Sequence, residues 1–156
     1  MQMVINNFNG GYAFLSNFYD APLLLDGIRY QNSEAAYQAG KTTADRRPLF
    51  ANLSPDQAKK LGRATAIRKD WDTVRADYMR KVVHAKFTQN PTLASMLLQT
   101  GDIELEEGNT WHDNYFGNCY CPICQGIKGE NMLGKILMEE RAKLKEIVAK
   151  YEERKV

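Results

Sequence analysis

Between positions 34 and 41 the chain reads Glu34-Ala35-Ala36-Tyr37-Gln38-Ala39-Gly40-Lys41. At 3.6 residues per turn, Glu34, Tyr37, Gln38 and Lys41 share one face of a helix. A surface helix normally places apolar residues at that spacing. Here the stripe is polar and the positions between are Ala or Gly, which permit close packing. A carboxylate, a phenol, an amide and an amine therefore line one wall. If that wall faces a pocket, burial lowers the lysine pKa and raises that of the glutamate. A neutral amine attacks carbonyl-like carbon, and a carboxylic acid protonates a leaving nitrogen. A sugar whose anomeric carbon is bonded to nitrogen uses both. A solvent-facing stripe of ordinary charges is the commoner fate of such residues, and the small, uncharged opposite face argues against it.

Three further segments carry chemistry. In Thr110-Trp111-His112-Asp113-Asn114-Tyr115-Phe116-Gly117 the acid Asp113 is flanked by aromatics, which exclude water and stack on a base or pteridine-like ring. An acidic loop with one buried Trp fits the same residues equally well. The glycine-rich run from Gly126 to Gly134 ends at a helix start, where free N–H groups could hold a phosphate. Most such turns bind nothing. Cys119, Cys121 and Cys124 form Cys-x-Cys-x-x-Cys, with His112 seven residues before the first. Three thiolates and one imidazole make a closed zinc set; three reduced thiols are the equal alternative. The chemistry at Glu34 and Lys41 requires no cofactor.

The elements that must position these groups are mostly helical. Residues up to about 30 read as short strands, including the aromatic stretch 12–19. Leu23-Leu24-Leu25, Asp26-Gly27 and Ile28-Arg29-Tyr30 form a hairpin signal, because Asp-Gly tolerates the positive φ of a type I′ turn. Ser33 is a candidate cap for a helix from Glu34 to about Thr42. Ser54-Pro55-Asp56-Gln57 is a capping box opening a helix towards Arg68. Asp72 is a candidate cap for the next, where Val74, Tyr78, Val82 and Ala85 recur at helical spacing. Asn90-Pro91 opens another, with Leu93, Leu97 and Leu98 apolar and Gly101 as its stop. Residues 103–106 alternate like a strand, and 109–130 read as loop. A last helix from Asn131 carries Leu133, Ile136, Leu137, Leu144, Ile147, Val148 and Tyr151, a stripe expected to pack on the core. The fold class expected is α+β, mostly helical, with a small N-terminal hairpin or sheet.

With 156 residues, 44% hydrophobic and 26% charged, the chain suits one domain over 1–156 and excludes a disordered tail. No apolar run reaches the ~20 residues of a bilayer span. Neither a signal-peptide pattern nor a secreted disulfide framework is visible, so a cytoplasmic location and no membrane partner are expected. The net charge of +2 conceals an asymmetry. Residues 41–86 hold twelve Lys or Arg against five Asp, whereas 101–130 hold one Lys against six acids. The basic middle suits a phosphorylated small molecule or a few nucleotides, and is too small to hold long duplex DNA by charge alone. A non-catalytic zinc module contacting nucleic acid explains the cysteines and the basic middle, but not the polar stripe.

The segments FLSNFY (14–19), DGIRYQNSEAAYQAGK (26–41), AKKLGR (58–63), Trp71 with Arg75, Met79, AKFTQNPTL (85–93), LLQTG (97–101) and GENMLGKILMEER (129–141) occur in the order found in the NADAR family, the YbiA-like N-glycosidases, which the chain resembles over about 14–141. WHDNYFGNCYCPICQ (111–125) looks like a cysteine-bearing branch of that family. Met132 stands where many members have histidine, and Phe116 where tryptophan is usual. The resemblance implies an α+β fold and hydrolysis of a ribose C1′–N bond. Two substrate classes are implied: ADP-ribose on guanine, in DNA or as a nucleotide, and ribosylaminopyrimidine 5′-phosphate intermediates of riboflavin synthesis. The former is favoured here, since the cysteine-bearing loop differs from the metabolic branch. Carried over by motif, Glu34 and Lys41 are catalytic, the lysine forming a Schiff base with the opened ribose. Asp113 is a second acid or base, or orients the sugar. Asn17, Phe18, Arg29, Tyr37, Gln38, Trp71, Trp111, Asn131 and Gly134 shape the ligand pocket.

Overall fold

The computed structural model describes residues 3–154 and is α+β. Its contacts group the chain into two compact units, Asn17–Pro91 and the residues on either side of that segment.

The 17–91 unit opens with the expected hairpin, β2 (Asp20–Leu25) against β3 (Ile28–Asn32), after the short β1 (Val4–Ile5) of the other unit. Leu25 pairs with Ile28, and Asp26 and Gly27 take φ of 50° and 82°, the two positive angles of a type I′ turn. Helix α1 (Ser33–Gly40) follows without a linker. Its cap is Asn32, not Ser33: the Asn32 side chain accepts from the Ala35 N–H at 2.8 Å. Asn32 is still extended as the last residue of β3, the backbone conformation an N-cap needs. Helix α2 (Pro55–Ala64) has the expected capping box and ends earlier than its pattern suggested. Helix α3 (Trp71–Gln89) begins one residue before Asp72. Asp70 sits at the cap position, but its carboxylate is held by the Arg68 guanidinium at 2.6 and 2.9 Å instead of capping.

Every residue of α1 is buried, and the helix is packed by α2, α3, both hairpin strands and a 3-10 turn over Ala44–Phe50. Small residues make this enclosure fit. A Cβ on Gly40 would lie 2.2 Å from the buried Tyr78 ring, and one on Gly62 of α2 would lie 2.1 Å from Gln38 Oε1. Tyr37, Trp71 and Tyr78 form an aromatic ladder with centroid separations of 5.2 and 5.9 Å.

In the other unit the aromatic stretch near residue 12 is not a strand: Gly10–Leu15 is a 3-10 helix, entered at Gly10 with φ 56°. It buries Phe14 and Leu15, a periodicity that alternation could not satisfy. Helix α4 (Pro91–Gln99) stops at Gly101, whose φ is 64°. Then β4 (Glu104–Leu105) pairs in parallel with β1, and β5 (Gly108–Asn109) with β6 (Asn118–Cys119). The last helix, α5 (Met132–Arg154), buries Leu133, Ile136, Leu137 and Leu144. Its end departs from expectation, because Ile147, Val148 and Tyr151 are exposed. Arg141 anchors the helix to the Thr100 hydroxyl at 2.9 Å and the Ile103 carbonyl at 2.8 Å. No helix among the described residues is long and apolar enough to cross a membrane.

Gly40→Ala tests the packing around α1. Helix propensity alone favours alanine, but the clash with a buried ring reverses the sign. The variant is expected to lose about 1–3 kcal/mol in denaturant unfolding, and a stabilised variant would contradict the fit described.

Candidate active site

The polar stripe on α1 is present, and it is out of bulk water. Glu34 is 8% exposed and Gln38 5% exposed, while Lys41, at the C-cap, is half-buried. Glu34 Oε1 accepts from Gln38 Nε2 at 2.8 Å, an i,i+4 bond within the helix. Gln38 Oε1 is buried with no hydrogen-bond partner among the described residues. It packs against Gly62 of α2, where a Cβ would lie 2.1 Å from it. Lys41 Nζ lies 5.8 Å from the centre of the Tyr37 ring. The lysine backbone is fixed at both ends, its N–H donating to Gln38 O at 3.1 Å and its carbonyl accepting from Arg68 N–H at 2.8 Å.

Burial pushes the Lys41 amine below its ordinary pKa of 10.5, and Arg63 and Lys59 push the same way, while Glu34 acts in opposition. The lysine half of the sequence expectation is thus met by the environment foreseen for it. Arg63 and Lys59 are site residues that sequence reasoning missed. They lie one turn apart on α2, within the AKKLGR segment, and only the contact between α1 and α2 brings them to Lys41.

The remaining candidates of this unit surround α1. Trp71 packs on Tyr37 with the rings tilted by 52°. Asn17 receives the Glu34 N–H on its carbonyl at 3.0 Å, and its amide reaches Met79 Sδ at 3.6 Å. Phe18 is exposed beneath Lys59, whose Nζ is 5.3 Å from the ring centre. It lines a cavity of about 340 Å³ with Asp20, Gln31, Asn32, Asn52, Leu53, Ser54 and Pro55. Neither Glu34 nor Lys41 is among those lining residues, so this cavity flanks the start of α1 and does not enclose the amine. Arg29 is exposed on β3.

Asp113, Trp111, Asn131 and Gly134 lie in the other unit. Asp113 is half-buried, and one of its oxygens accepts from the Tyr115 and Phe116 N–H groups at 3.1 and 2.9 Å, closing an Asx turn. Trp111 is 58% exposed, contrary to the buried-Trp reading of this loop. Asn131, at φ 50°, donates to Leu105 O and accepts from Glu107 N–H, each at 2.9 Å. Gly134 lets α5 approach β4, since a Cβ there would meet the Leu105 carbonyl at 2.1 Å. The phosphate reading of the glycine-rich run is not met. The N–H groups of Asn131, Met132 and Leu133 donate to the carbonyls of Gly117, Tyr115 and Phe116, leaving no cradle at this helix start.

His112, Cys119, Cys121 and Cys124 converge, with all four donor atoms within 4.8 Å of one another. Burial opposes ionisation of Cys119, but hydrogen bonds from Cys121, His112 and Cys124 outweigh it and bring the thiol down to about 7. Burial raises Cys124.

The chain matches the NADAR domain over residues 6–145. It is a member of that family. It is 36% identical to Escherichia coli N-glycosidase YbiA over 151 residues, covering 92% of this chain and 91% of the relative. An N-glycosidase of Nostoc punctiforme is 32% identical, with 88% and 89% covered. A riboflavin biosynthesis protein of Vibrio vulnificus is 36% identical over 86% of this chain, which spans 36% of that longer protein. The NMR structure of E. coli YbiA superposes with a TM-score of 0.78 at 35% identity, covering 97% of this chain and 90% of the other. The protein is therefore an enzyme of the glycosidase class of hydrolases.

A second amine was also missed. Lys86 of α3 is 1% exposed, within 5.9 Å of the Tyr19 ring centre and 5.2 Å of that of Phe87. Burial drives it from 10.5 to about 7. Between those values the unfolded chain holds a proton on Lys86 that the folded chain has released, so stability rises with pH, by up to ~1.4 kcal/mol per pH unit. Lys86→Met is expected to flatten that rise in urea midpoints measured from neutral pH upward. An unaltered slope would show that Lys86 does not titrate with folding.

Proposed function

We propose that the protein hydrolyses a ribose C1′–N bond through a covalent imine on Lys41, and that its substrate is guanine carrying ADP-ribose, in DNA or as a nucleotide. The observation that carries the reading is the burial of Glu34 and Gln38 on a helix enclosed by its neighbours, with the half-buried Lys41 at that helix's C-cap.

The steps follow from those groups. With its pKa depressed, Lys41 supplies a neutral amine, whose nitrogen attacks C1′. The C1′–N bond breaks, and the departing base takes a proton from Glu34 in its carboxylic-acid form. Opening of the ribose ring leaves an imine between Lys41 and C1′. The Glu34 carboxylate then activates water, which adds to the imine carbon, frees the amine and releases the sugar. Gln38 holds the Glu34 carboxylate through its amide, and Tyr37 and Trp71 wall the site with aromatic surface. Lys59 and Arg63 offer positive charge to a diphosphate, and no cofactor takes part.

The second reading, a ribosylaminopyrimidine 5′-phosphate as substrate, is favoured by the riboflavin-biosynthesis names of the Vibrio relative and of a maize relative 32% identical over 76% of this chain. Supporting the first is the cysteine-bearing segment 111–125; the cations around Lys41 suit a diphosphate and a monophosphate alike. Side-by-side turnover of the two substrates decides between them: release of ADP-ribose at the higher kcat/KM supports the first, and preference for the monophosphate overturns it.

Borohydride added during turnover is expected to attach sugar to the wild-type chain at Lys41. A Lys41→Ala variant that still traps sugar, or keeps full activity, removes the lysine from the mechanism. Glu34→Gln is expected to lower kcat by more than ~100-fold.

The pH profile supplies an independent check. Activity should rise with pH as the Lys41 amine loses its proton, with a midpoint below 10.5. Arg63→Ala removes a like charge that holds this pKa down, so its limb should shift to higher pH. An unmoved limb would separate the titrating group from Lys41.

A further inference from the structure

The cysteine cluster is used by none of these steps, and its geometry is that of a metal site. His112 Nδ1 lies 3.3 Å from Cys121 Sγ and 3.4 Å from Cys124 Sγ. With ordinary zinc–sulfur and zinc–nitrogen bond lengths, a tetrahedron has edges of about 3.5 Å between sulfur and nitrogen and about 3.8 Å between sulfurs. The two sulfur–nitrogen separations match such an edge, and all four donors lie within 4.8 Å of one another, close enough for small side-chain shifts to bring them onto one ion. All three cysteines are free thiols, so no disulfide competes for the sulfurs.

We propose that His112 Nδ1 and the sulfurs of Cys119, Cys121 and Cys124 bind a single zinc ion in a closed, structural site. Four protein donors leave no coordination position for water or substrate, which separates this centre from a catalytic zinc. Binding replaces the three thiol protons, which pass to solvent, and leaves a centre of net charge −1 with a neutral imidazole. The Cys121 N–H points at Cys119 Sγ from 3.5 Å and offsets thiolate charge, the outer-shell contact such sites use. His112 holds a left-handed φ of 69°, unusual outside glycine, and a bond from Nδ1 to a metal gives that conformation a return. The ion would clip together β6, the short 3-10 turn Pro122–Cys124 and the residue before Asp113.

The test uses the full chain, free of added histidine tags and purified without chelators. Elemental analysis is expected to find one zinc per chain. After chelation under reducing conditions, cobalt(II) should restore one equivalent of metal. It should give the visible d–d band of tetrahedral cobalt with a near-ultraviolet sulfur-to-cobalt charge-transfer band. Cys124→Ser should weaken that charge-transfer band, and the cobalt titration of the wild-type chain stands by itself if this variant does not fold. A folded chain without stoichiometric metal, whose three thiols react freely and whose cobalt spectrum is octahedral, overturns the proposal; so does an iron–sulfur chromophore. Because metal content is read without substrate, failure of the Lys41 mechanism and failure of this site are told apart.

Discussion

Enclosure of a short helix on all sides is the constraint from which the rest of the 17–91 unit follows. A helix of this length has little stability of its own and depends on packing. Ala35, Ala36, Ala39 and Gly40 remove the bulk that would hold neighbours away, and Gly62 does the same from α2. That close approach carries Glu34 and Gln38 out of water along with the alanines. The desolvation cost is met in part by the bond between them. Lys41 sits half-buried at the C-cap, and the cations of α2 add to its discomfort as an ammonium ion. Depressed basicity is thus a packing result as much as an electrostatic one.

The other unit uses polar side chains in place of strands to order its backbone. From 108 to 131 there are only two two-residue strands and one turn of 3-10 helix. Asn109, Asp113, Asn114, Asn118 and Asn131 each bond main-chain groups, so short amides and one carboxylate do the work of a ladder.

Much of this was readable beforehand where a single local rule was decisive. Asp26-Gly27 gave the hairpin turn, and the Ser54 capping box gave α2, because each rests on residues that are neighbours in sequence. The failures share a physical cause. Asn32 took the cap from Ser33, and Asp70 spent its carboxylate on Arg68, since two adjacent polar residues can each serve and geometry selects. The stretch at 10–15 suggested a strand from composition, but its buried pair Phe14 and Leu15 are consecutive and belong to a tight helix. At the site, Glu34, Gln38 and Lys41 were visible as one helical stripe. Lys59 and Arg63 were not, because their role comes from tertiary contact and their spacing resembles any solvated face. The glycine-rich run at 126–134 misled for the converse reason: the sequence shows that its amides are accessible in principle, not that the carbonyls of 115–117 already occupy them.

The saturation of the α5 start bears on how this family can vary. Tyr115, Phe116 and Gly117 offer their carbonyls to Met132, Leu133 and Asn131, so three bonds pin the register of the two stretches. An insertion or deletion in either stretch would slide that register and unseat the first turn of a long helix. Length changes should therefore be tolerated only in the span between them, which in this chain is itself tied by the Asn118 to Gly129 bond and by the cysteine cluster.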